Sequence, residues 1–437
     1  MFLPRTMSEC WMEAGRQFPI LFLTGPRQAG KTTLLRRLCP GDRRCVTLDD
    51  LSIRALARDD PALFLQHFSP PVLIDEIQYA PQLLPLIKIT AGMANQPGLF
   101  WLAGSLDFQM VKAISHTLAG QVAVLNLFGL SRRERAGLDL SPLPFLPTAE
   151  ALQPRLATGC DCDVDKLYQD IFQGSLPALA AAQPPDPIQS PGPDQPPARE
   201  AFYSAYLQTY LQRDVRPMTR IADEAAFVRF LTACAARTAR PLNLSELARD
   251  ADVSVNTAKS WLLVLQVSSQ VYLLPPYGAL SPARSNQAKS QAKTQAKSRA
   301  SRLARTPKLY FLDTGLCSYL TRWSSPQTLA AGALAGPILE TYVLGELLKS
   351  WWHRGRQPSL SYYRDKAGRE IDFLIDHDQR IYPMEVKRAV QVRREWAHLL
   401  EPLAFLGRDI AEGCVFCLHP QILPLADRLH AVPVTAI

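Results

Sequence analysis

The sequence predicts an α/β fold with a parallel β-sheet in its N-terminal third and a second α/β unit near its C-terminus. Three observations lead to this prediction. Short apolar runs alternate with helical stretches in the N-terminal third, and a glycine-rich loop joins the first run to the first helix. Near the C-terminus, two apolar segments carry acidic residues at strand spacing. Strands that alternate with helices form a parallel sheet with helices on its faces.

The first part of the chain contains the candidate strands of this sheet. Most of them are short apolar runs that end at glycine, serine or an acidic residue, as buried strands do. A proline near the start of the second helical stretch is compatible with a helix N-terminus. The strands are predicted at 19–24, 45–48, 71–75, 99–103 and 121–127, and the helices between them at 31–39 and 82–95.

Residues 25–32 read GPRQAGKT and fit the phosphate-binding pattern G-x-x-x-x-G-K-[ST]. Gly25 and Gly30 allow the backbone N–H groups to turn toward phosphates, and the following helix directs its positive end at the same anion. Lys31 is placed to contact the β- and γ-phosphates, and the Thr32 hydroxyl to ligate Mg²⁺. The sequence therefore predicts a P-loop NTPase domain. Its ATP-binding residues are Gly25, Pro26, Arg27, Gln28, Ala29, Gly30, Lys31, Thr32 and Thr33.

Acidic residues follow the third predicted strand at the edge where the P-loop lies. Asp75 is placed to hold the Mg²⁺ shell together with Thr32, and Glu76 to orient or deprotonate the attacking water. Ser105 closes the fourth strand, where its hydroxyl could sense the γ-phosphate; a turn-forming serine is the alternative. We therefore predict Glu76, Lys31 and Ser105 as catalytic residues, with ATP and Mg²⁺ as cofactors.

Composition indicates a globular protein. Of the 437 residues, 20% are charged and 47% are hydrophobic. No apolar run reaches the roughly 18 residues of a membrane span, and the N-terminus lacks a signal-peptide layout. We therefore expect a cytoplasmic protein with no membrane partner. The 9 cysteines are scattered and odd in number, which argues against a disulfide framework. Cys160-x-Cys162 and Cys414-x-x-Cys417 resemble metal half-sites without a second pair.

The formal net charge of +8 comes from one tract. Residues 281–308 contain no acid, and their basic residues are Arg284, Lys289, Lys293, Lys297, Arg299, Arg302, Arg305 and Lys308. Within this tract, residues 287–298 repeat QAK[ST] without an apolar face, and a proline-rich linker precedes it at 183–197. These features divide the chain into five parts. They are an ATPase domain (1–137), a connection (138–200), a helical region (201–280), a basic insert (281–307) and a C-terminal domain (308–437).

The region between the linker and the basic insert reads as helical. A stripe of Phe202, Tyr206, Thr209 and Tyr210 predicts a helix over 201–216, and residues 244–265 read as helix, turn, helix. The expected N-caps are Ser245 for the first helix and Ser254 or Asn256 for the second. A strand at 270–274 follows, which is the layout of a winged helix. Lys259 and Trp261 lie on the second helix, where we expect Trp261 in the core.

The motifs together resemble a known family. GPRQAGKTTLL, VLIDEIQYAP, LFWLAGS, YLQRDVR, LYFLDTGL, GPILETYVLGEL and EIDFLI…YPMEVK are similar to segments of the large prokaryotic family of AAA-superfamily ATPases fused to a C-terminal domain of unknown function. The resemblance implies ATP hydrolysis and assembly into a homo-oligomer. One departure is Gln121, where the family usually has arginine; Arg132, Arg133 and Arg213 are alternative arginine fingers.

The C-terminal motif suggests nuclease chemistry. Two strands are predicted at 370–375 and 381–387 and a helix from about 391, and a long apolar helix at 336–352 carries Glu340. With Asp372 and Glu385-x-Lys387, Glu340 fits the E…D…E-x-K skeleton of PD-(D/E)XK nucleases, which the family's C-terminal domain resembles. This similarity implies a restriction-endonuclease-like α/β domain with catalytic residues Glu340, Asp372, Glu385 and Lys387, and a metal held by Asp372 and Glu385. A surface ion pair is the alternative, and Asp313 reads as a helix cap.

Two functional hypotheses of different classes follow. In the first, an ATPase controls a C-terminal module that binds DNA, with cleavage as a further option. In the second, ATP binding orders a protein-interaction adaptor that has no nuclease chemistry. Salt-sensitive DNA binding separates the two, because basic residues that contact phosphates lose affinity as salt rises. A pseudo-ATPase that binds nucleotide without turnover is a third reading, kept open by Gln121.

Overall fold

The computed structural model describes residues 2–105, 110, 114, 117–138, 140, 143–157, 163–180, 199–218, 223–278 and 305–437. The proline-rich linker, the QAK repeat, most of the basic tract, and Cys160 and Cys162 lie outside these residues. None of the described helices is long and apolar enough to cross a membrane.

The N-terminal sheet has five strands, and every described strand pair in it is parallel. Their order across the sheet is β2-β3-β4-β1-β5. Three of these strands, β1, β3 and β4, are buried along their whole length, as expected when helices cover both faces of a sheet. The predicted parallel α/β sheet is thus confirmed. The strands are β1 Ile20–Thr24, β2 Arg44–Thr47, β3 Val72–Asp75, β4 Phe100–Ala103 and β5 Val122–Asn126.

Helices pack on both faces of this sheet because strand side chains alternate between the faces. Phe22 and Ile74 belong to one apolar core, and Leu21 and Trp101 to the other. The second helical stretch begins with a 3₁₀ turn at Pro81–Leu83. The helices of this region are Met7–Ala14, Lys31–Leu38, Leu51–Asp59, Pro61–His67, Leu84–Ala94 and Arg132–Arg135, with a further 3₁₀ turn at Ile77–Tyr79.

The middle region is helical, as predicted, and contains a small sheet. Ser254 caps the second helix of the helix–turn–helix by accepting from the Thr257 N–H. The first helix is capped by Asn243 rather than Ser245, because the helix begins two residues earlier than that cap implies. The helices are Ala149–Ala157, Val164–Gln173, Pro177–Ala180, Arg199–Tyr210, Arg216–Met218, Glu224–Ala236, Leu244–Ala251 and Val255–Val267, with a π-helix at Leu211–Val215.

Three short strands form the sheet of the middle region, in the order β6-β8-β7. Both pairings are antiparallel. β8 follows the basic insert in sequence. It begins at residue 308, where the C-terminal domain was expected to begin. The winged-helix reading remains a prediction. The strands are β6 Arg240–Pro241, β7 Val271–Leu274 and β8 Lys308–Phe311.

The C-terminal unit is built on a mixed sheet with strand order β14-β15-β13-β11-β10-β9, and β12 pairs with β11. The predicted hairpin is confirmed: β10 and β11 are antiparallel, with Phe373 opposite Met384. The strands are β9 Leu360–Arg364, β10 Glu370–His377, β11 Arg380–Val386, β12 Asp409–Ile410, β13 Gly413–Cys417, β14 Leu423–Ala426 and β15 Leu429–Pro433.

The prediction of a helix from about residue 391 was wrong. Short 3₁₀ helices stand there instead, at Arg394–His398 and Glu401–Leu406. Pro402 has no N–H to donate to a preceding carbonyl, so it interrupts a continuous α-helix at this point. The predicted long helix is present at Ala335–Trp352 and is buried on most sides. The remaining helices are Thr314–Leu320 and Pro326–Ala331, with a 3₁₀ turn at Val434–Ala436.

Candidate functional site

The P-loop joins the carboxyl end of β1 to the helix that begins at Lys31. Gly25 has φ +139°, and a Cβ built there would lie 1.9 Å from the Leu127 carbonyl oxygen. Gly30 has φ +90° and sits at the helix N-cap. Both positions therefore require glycine, and they let the loop turn back over the helix N-terminus, where backbone N–H groups attract anions.

The Lys31 ammonium is buried inside this loop. Its Nζ donates to the carbonyl oxygens of Gly25 and Pro26, both at 2.9 Å. Burial lowers the pKa of Lys31, and the attraction of Glu76 opposes this effect. The lysine thus holds a desolvated positive charge beside the helix N-terminus, which is the place where a P-loop binds phosphates.

The end of β3 supplies the oxygens that a magnesium ion needs. The Asp75 side chain hydrogen-bonds Thr32, and its Oδ1 accepts from the Glu76 N–H at 3.1 Å. Burial raises the pKa of Asp75. A hydroxyl and a carboxylate brought together beside a phosphate-binding loop are the usual protein donors for Mg²⁺, with phosphate and water completing the shell. The predicted pair Thr32 and Asp75 therefore fits this ion.

Gln78 connects the other two predicted catalytic residues. Its Nε2 donates to Glu76 Oε2, and its Oε1 accepts from the Ser105 N–H at 3.2 Å. Glu76 has φ +58°, an unusual conformation for a non-glycine residue that recurs at functional sites. Glu76 and Ser105 thus lie on one hydrogen-bonded chain. Sequence reasoning missed Gln78, for which the only signal was its position directly after the acidic pair.

Arg27 leaves the P-loop and pairs with a distant segment. Its Nε forms an ion pair with Asp214 Oδ2, and the side chains are only 14% and 7% exposed. Asp214 lies in the π-helix Leu211–Val215 of the middle region. The Arg27 side chain also hydrogen-bonds Tyr79 and is attracted by Glu76. Arg27 was predicted from the sequence as one of the ATP-binding residues, whereas Asp214 appeared only inside the motif YLQRDVR.

The three alternative arginine fingers have different surroundings. Arg132 donates from Nη1 to the Thr435 carbonyl oxygen at 2.8 Å, and Arg133 is buried. Arg213 is 53% exposed, and its Nη1 lies 3.7 Å from Asp49 Oδ1. Arg213 is therefore the most exposed of the three, and it is next to Asp214 in sequence.

A cleft opens at the helix end of the P-loop. Its apolar lining and its contact with the helix that follows the loop suit a flat aromatic base. Arg5 anchors the N-terminal segment there by donating from Nη1 to the Ala29 carbonyl oxygen at 2.8 Å. The lining residues are Phe2, Leu3, Arg5, Gly30, Thr33, Leu34, Leu130 and Pro177.

Comparison with known proteins fits this geometry, since residues 17–136 match the family model described as AAA domain. This part of the chain is an AAA-superfamily ATPase domain. Its match spans the parallel sheet, the P-loop and the Asp75–Glu76 pair. Beyond the AAA domain, residues 165–327 match a domain of unknown function (DUF8612), and residues 335–437 match another domain of unknown function (DUF4143).

Two relatives that match nearly the full chain are uncharacterized proteins. The uncharacterized proteins Rv2008c of Mycobacterium tuberculosis and Mb2031c of Mycobacterium bovis are each 27% identical over 421 residues, which cover 96% of this chain and 81% of the relative. The Walker-type ATPase PABY2304 of Pyrococcus abyssi is 13% identical with a TM-score of 0.38, covering 72% of this chain and 94% of that chain. RuvB of Thermotoga maritima is 16% identical with a TM-score of 0.26, covering 62% and 86%.

The predicted C-terminal residues also lie together. Asp372 Oδ2 accepts from the Val386 N–H at 3.0 Å, and Glu385 Oε2 accepts from the Asp372 N–H at 3.1 Å. Lys387 Nζ donates to Glu385 Oε1 at 2.7 Å. The hairpin thus brings Asp372, Glu385 and Lys387 to one place, because residues two apart on a strand share a face.

Lys308 was not among the predicted site residues, yet it lies at the centre of this acid cluster. Its Nζ is 2.9 Å from Glu340 Oε1, 2.5 Å from Glu370 Oε1 and 3.3 Å from Asp372 Oδ1. The lysine side chain is 2% exposed, so it is unavailable to bind phosphates with the rest of the basic tract. In the sequence, this role was indicated by the position of the lysine at the start of a strand, where the basic tract ends.

The carboxylates of Asp372 and Glu385 are engaged by lysines and backbone N–H groups. Each oxygen of Asp372 and Glu385 already accepts a hydrogen bond or pairs with lysine. Burial, reinforced by repulsion from Asp372, raises the pKa of Glu340 to about 8 and that of Glu385 to about 7. Within the described residues, no group of three or more His, Cys, Asp or Glu side chains is arranged to hold a metal ion.

The remaining predicted features have structural roles. Trp261 is buried against Phe227 and Phe230, at ring-centroid distances of 5.2 and 5.6 Å, whereas Lys259 is exposed. Asp313 caps the helix Thr314–Leu320, as predicted, and also accepts from the Tyr203 hydroxyl. Cys414 and Cys417 are free buried thiols on β13, and burial raises the pKa of both.

Proposed function

We propose that this protein is an ATP-hydrolysing switch whose AAA domain signals its nucleotide state to the rest of the chain. The observation that carries the proposal is the gathering of Lys31, Thr32, Asp75 and Glu76 at the carboxyl edge of the parallel sheet. In open α/β sheets this edge is where ligands bind. The assembled side chains supply a cation, the two donors for Mg²⁺ and a carboxylate base.

Each residue has a role that follows from its placement. The cleft beside Gly30 and Thr33 accepts the adenine, and the loop N–H groups and Lys31 bind the phosphates. Thr32 and Asp75 would hold Mg²⁺, which neutralises phosphate charge during transfer. Glu76 orients the attacking water and accepts its proton, and Gln78 fixes the carboxylate by hydrogen bonding.

Two substitutions test the ATPase proposal. Lys31→Ala is expected to abolish binding of a fluorescent ATP analogue, and Glu76→Gln to retain binding while phosphate release falls at least about a hundredfold. Lys366→Ala, at an exposed turn, serves as the control. Unchanged phosphate release in Glu76→Gln would reject Glu76 as the base. Binding without release in the wild-type protein would favour the pseudo-ATPase reading.

We further propose that the regions after the AAA domain bind nucleic acid. The support is the charge of the tract ending at Lys308, which contains basic residues and no acid. Several lysines and arginines that neutralise phosphates give an affinity that falls steeply with salt. The occupied acid cluster favours binding over metal-dependent cleavage, because Lys308 already supplies the positive charge that a metal would bring.

A single set of DNA incubations tests binding and cleavage. The full chain is expected to retard linear and single-stranded DNA at low salt and to leave supercoiled DNA uncut in Mg²⁺ or Mn²⁺, with or without ATP. An Asp372→Ala/Glu385→Ala variant controls for contaminating nuclease. Cleavage by the wild type alone would instead make Asp372, Glu385 and Lys387 a nuclease centre. Absence of DNA binding at low salt would favour the protein-interaction adaptor.

A further inference from the structure

The guanidinium of Arg27 lies near Glu76, the residue to which the proposed function gives the role of activating the attacking water. The proposed base cleft is lined by Gly30 and Thr33, so the adenine lies at the end of the loop where the helix begins. Arg27 instead extends toward Glu76 and Tyr79, where its side chain hydrogen-bonds Tyr79. Since Glu76 is placed to activate the water that attacks the γ-phosphate, a cation beside it lies within reach of that phosphate.

Building on the ATPase function proposed above, we infer that Arg27 is a γ-phosphate ligand held in reserve by Asp214. The γ-phosphate of ATP and the Asp214 carboxylate compete for the same guanidinium, so ATP binding breaks the Arg27–Asp214 pair and ADP leaves it intact. The π-helix Leu211–Val215, which carries Asp214, is thereby the segment that senses the γ-phosphate and reports it to the middle region.

Because Asp214 is buried, the exchange of Asp214 for the γ-phosphate as the partner of Arg27 has an energetic consequence. The Asp214 side chain is 7% exposed, and Arg27 is its charged partner at hydrogen-bond distance. Burial raises the pKa of Asp214, and the attraction of Arg27 opposes that rise. If Arg27 turns to the γ-phosphate, the carboxylate is left buried beside the negative phosphates, a state that carries a desolvation cost without a compensating partner. The segment relieves this cost by moving until Asp214 reaches water.

The local backbone suits such a movement. A π-helix is rare, is usually found at functional sites, and here interrupts the α-helix that begins at Arg199. The neighbouring Arg213 is half exposed and approaches Asp49 of the AAA domain at 3.7 Å. The segment thus faces the AAA domain through two charged side chains, one buried at the P-loop and one at the surface.

Nucleotide affinity of the full chain provides the first test. Asp214→Asn is expected to tighten binding of a non-hydrolysable ATP analogue about tenfold while ADP binding stays unchanged, because the competitor of the γ-phosphate is removed. Arg27→Ala is expected to weaken binding of the ATP analogue alone, with partial rescue in Arg27→Lys. Gln212→Ala, at an exposed position of the same π-helix, is the matched control. A purely structural ion pair would leave the ratio of ATP-analogue to ADP affinity unchanged in all variants.

Hydrogen exchange provides a second test, whose deciding comparison uses the wild-type chain alone. Amides in 199–218 are expected to exchange faster with the ATP analogue than with ADP, and equally fast with either in Arg27→Ala. Equal exchange in the wild type would overturn the inference. If ADP binding still depends on Lys31 in that case, the proposed ATPase function stands. If ADP binding does not depend on Lys31, the proposed function itself is rejected.

Discussion

At the residue scale, the conformation of Gly25 decides whether the P-loop can close. Its φ of +139° disfavours other residues, and a Cβ would overlap the Leu127 carbonyl oxygen. Leu127 follows β5, so the clash would involve backbone that cannot rotate away. Gly137 has φ +62° but nothing within 4 Å of a built Cβ, which makes it a matched position with strain and without a clash.

We predict that Gly25→Ala lowers the free energy of unfolding by about 3 kcal/mol and abolishes nucleotide binding, because the loop must shift to accommodate the methyl group. Gly137→Ala is expected to cost only about 1 kcal/mol, for backbone strain alone. Chemical denaturation of both variants measures the difference. Equal losses would show that the contact with Leu127 is unimportant.

The acid cluster around Lys308 predicts a pH dependence of stability. The pKa values of Glu340 and Glu385 are raised to about 8 and about 7, so the folded chain holds protons that the unfolded chain releases. Their contribution is fully present near pH 4 and is lost as pH rises to about 8, with a slope of at most about 1.4 kcal/mol per pH unit for each group.

We therefore expect Glu340→Gln to flatten the fall in stability between about pH 4.5 and 8. Denaturant melts of both proteins across this range measure the difference in slope. Glu395→Gln, at a position 69% exposed, is the control and should leave the slope unchanged. A steeper fall in Glu340→Gln would contradict the raised pKa of that carboxyl group.

At the element scale, the helix Val255–Val267 has one face in the core and one in water. Trp261 packs against Phe227 and Phe230 of the helix Glu224–Ala236, and Lys259 projects from the exposed side. Trp261→Ala is predicted to lower the free energy of unfolding by roughly 3–5 kcal/mol, because it leaves a cavity. Lys259→Ala should change it by less than about 0.5 kcal/mol.

The same two variants separate packing from nucleic-acid binding when DNA retardation is measured beside denaturation. If this helix contacts DNA, Lys259→Ala weakens retardation at low salt without altering stability. If Lys259→Ala proves as destabilising as Trp261→Ala, the assignment of the two faces is wrong. An unchanged affinity in Lys259→Ala would place the DNA contact elsewhere in the chain.

At the scale of the whole molecule, Glu134 joins the N-terminal segment, the AAA domain and the C-terminal unit. Its carboxylate is fully buried, accepts from the Thr6 and Ser131 N–H groups, and pairs with Arg5 at 3.2 Å and His353 at 3.3 Å. Burial raises the pKa of Glu134, but Arg5 and His353 outweigh it and hold the pKa well below its usual range.

We predict that Glu134→Gln lowers the free energy of unfolding by roughly 3–5 kcal/mol, because Arg5 is left buried without its negative partner. Glu9→Ala removes an exposed ion pair with Arg354 and should cost less than about 1 kcal/mol. Thermal melts with and without nucleotide measure both variants. A similar cost for the two would mean that the buried network contributes little to holding the units together.

Local pattern was sufficient for much of the fold. The apolar runs predicted the five strands, and the motif after the first run predicted the P-loop. The period of the apolar residues predicted the helix–turn–helix and the helix Ala335–Trp352. These features depend on residues close in sequence, so periodicity and turn chemistry determine them. Prediction was wrong at Ser245 and beyond residue 391, where single residues shift a helix start or interrupt a helix.

The sequence by itself thus determined the nucleotide-binding loop, its Asp75–Glu76 pair and the acidic hairpin, because each is encoded within one short segment. Only the tertiary structure decided which distant side chains complete these sites. Asp214 reaches Arg27 across 187 residues, and Lys308 reaches Asp372 across 64. Such pairs depend on how whole elements pack, and burial then fixes their charges, since a desolvated ion needs a partner that only the folded chain brings near.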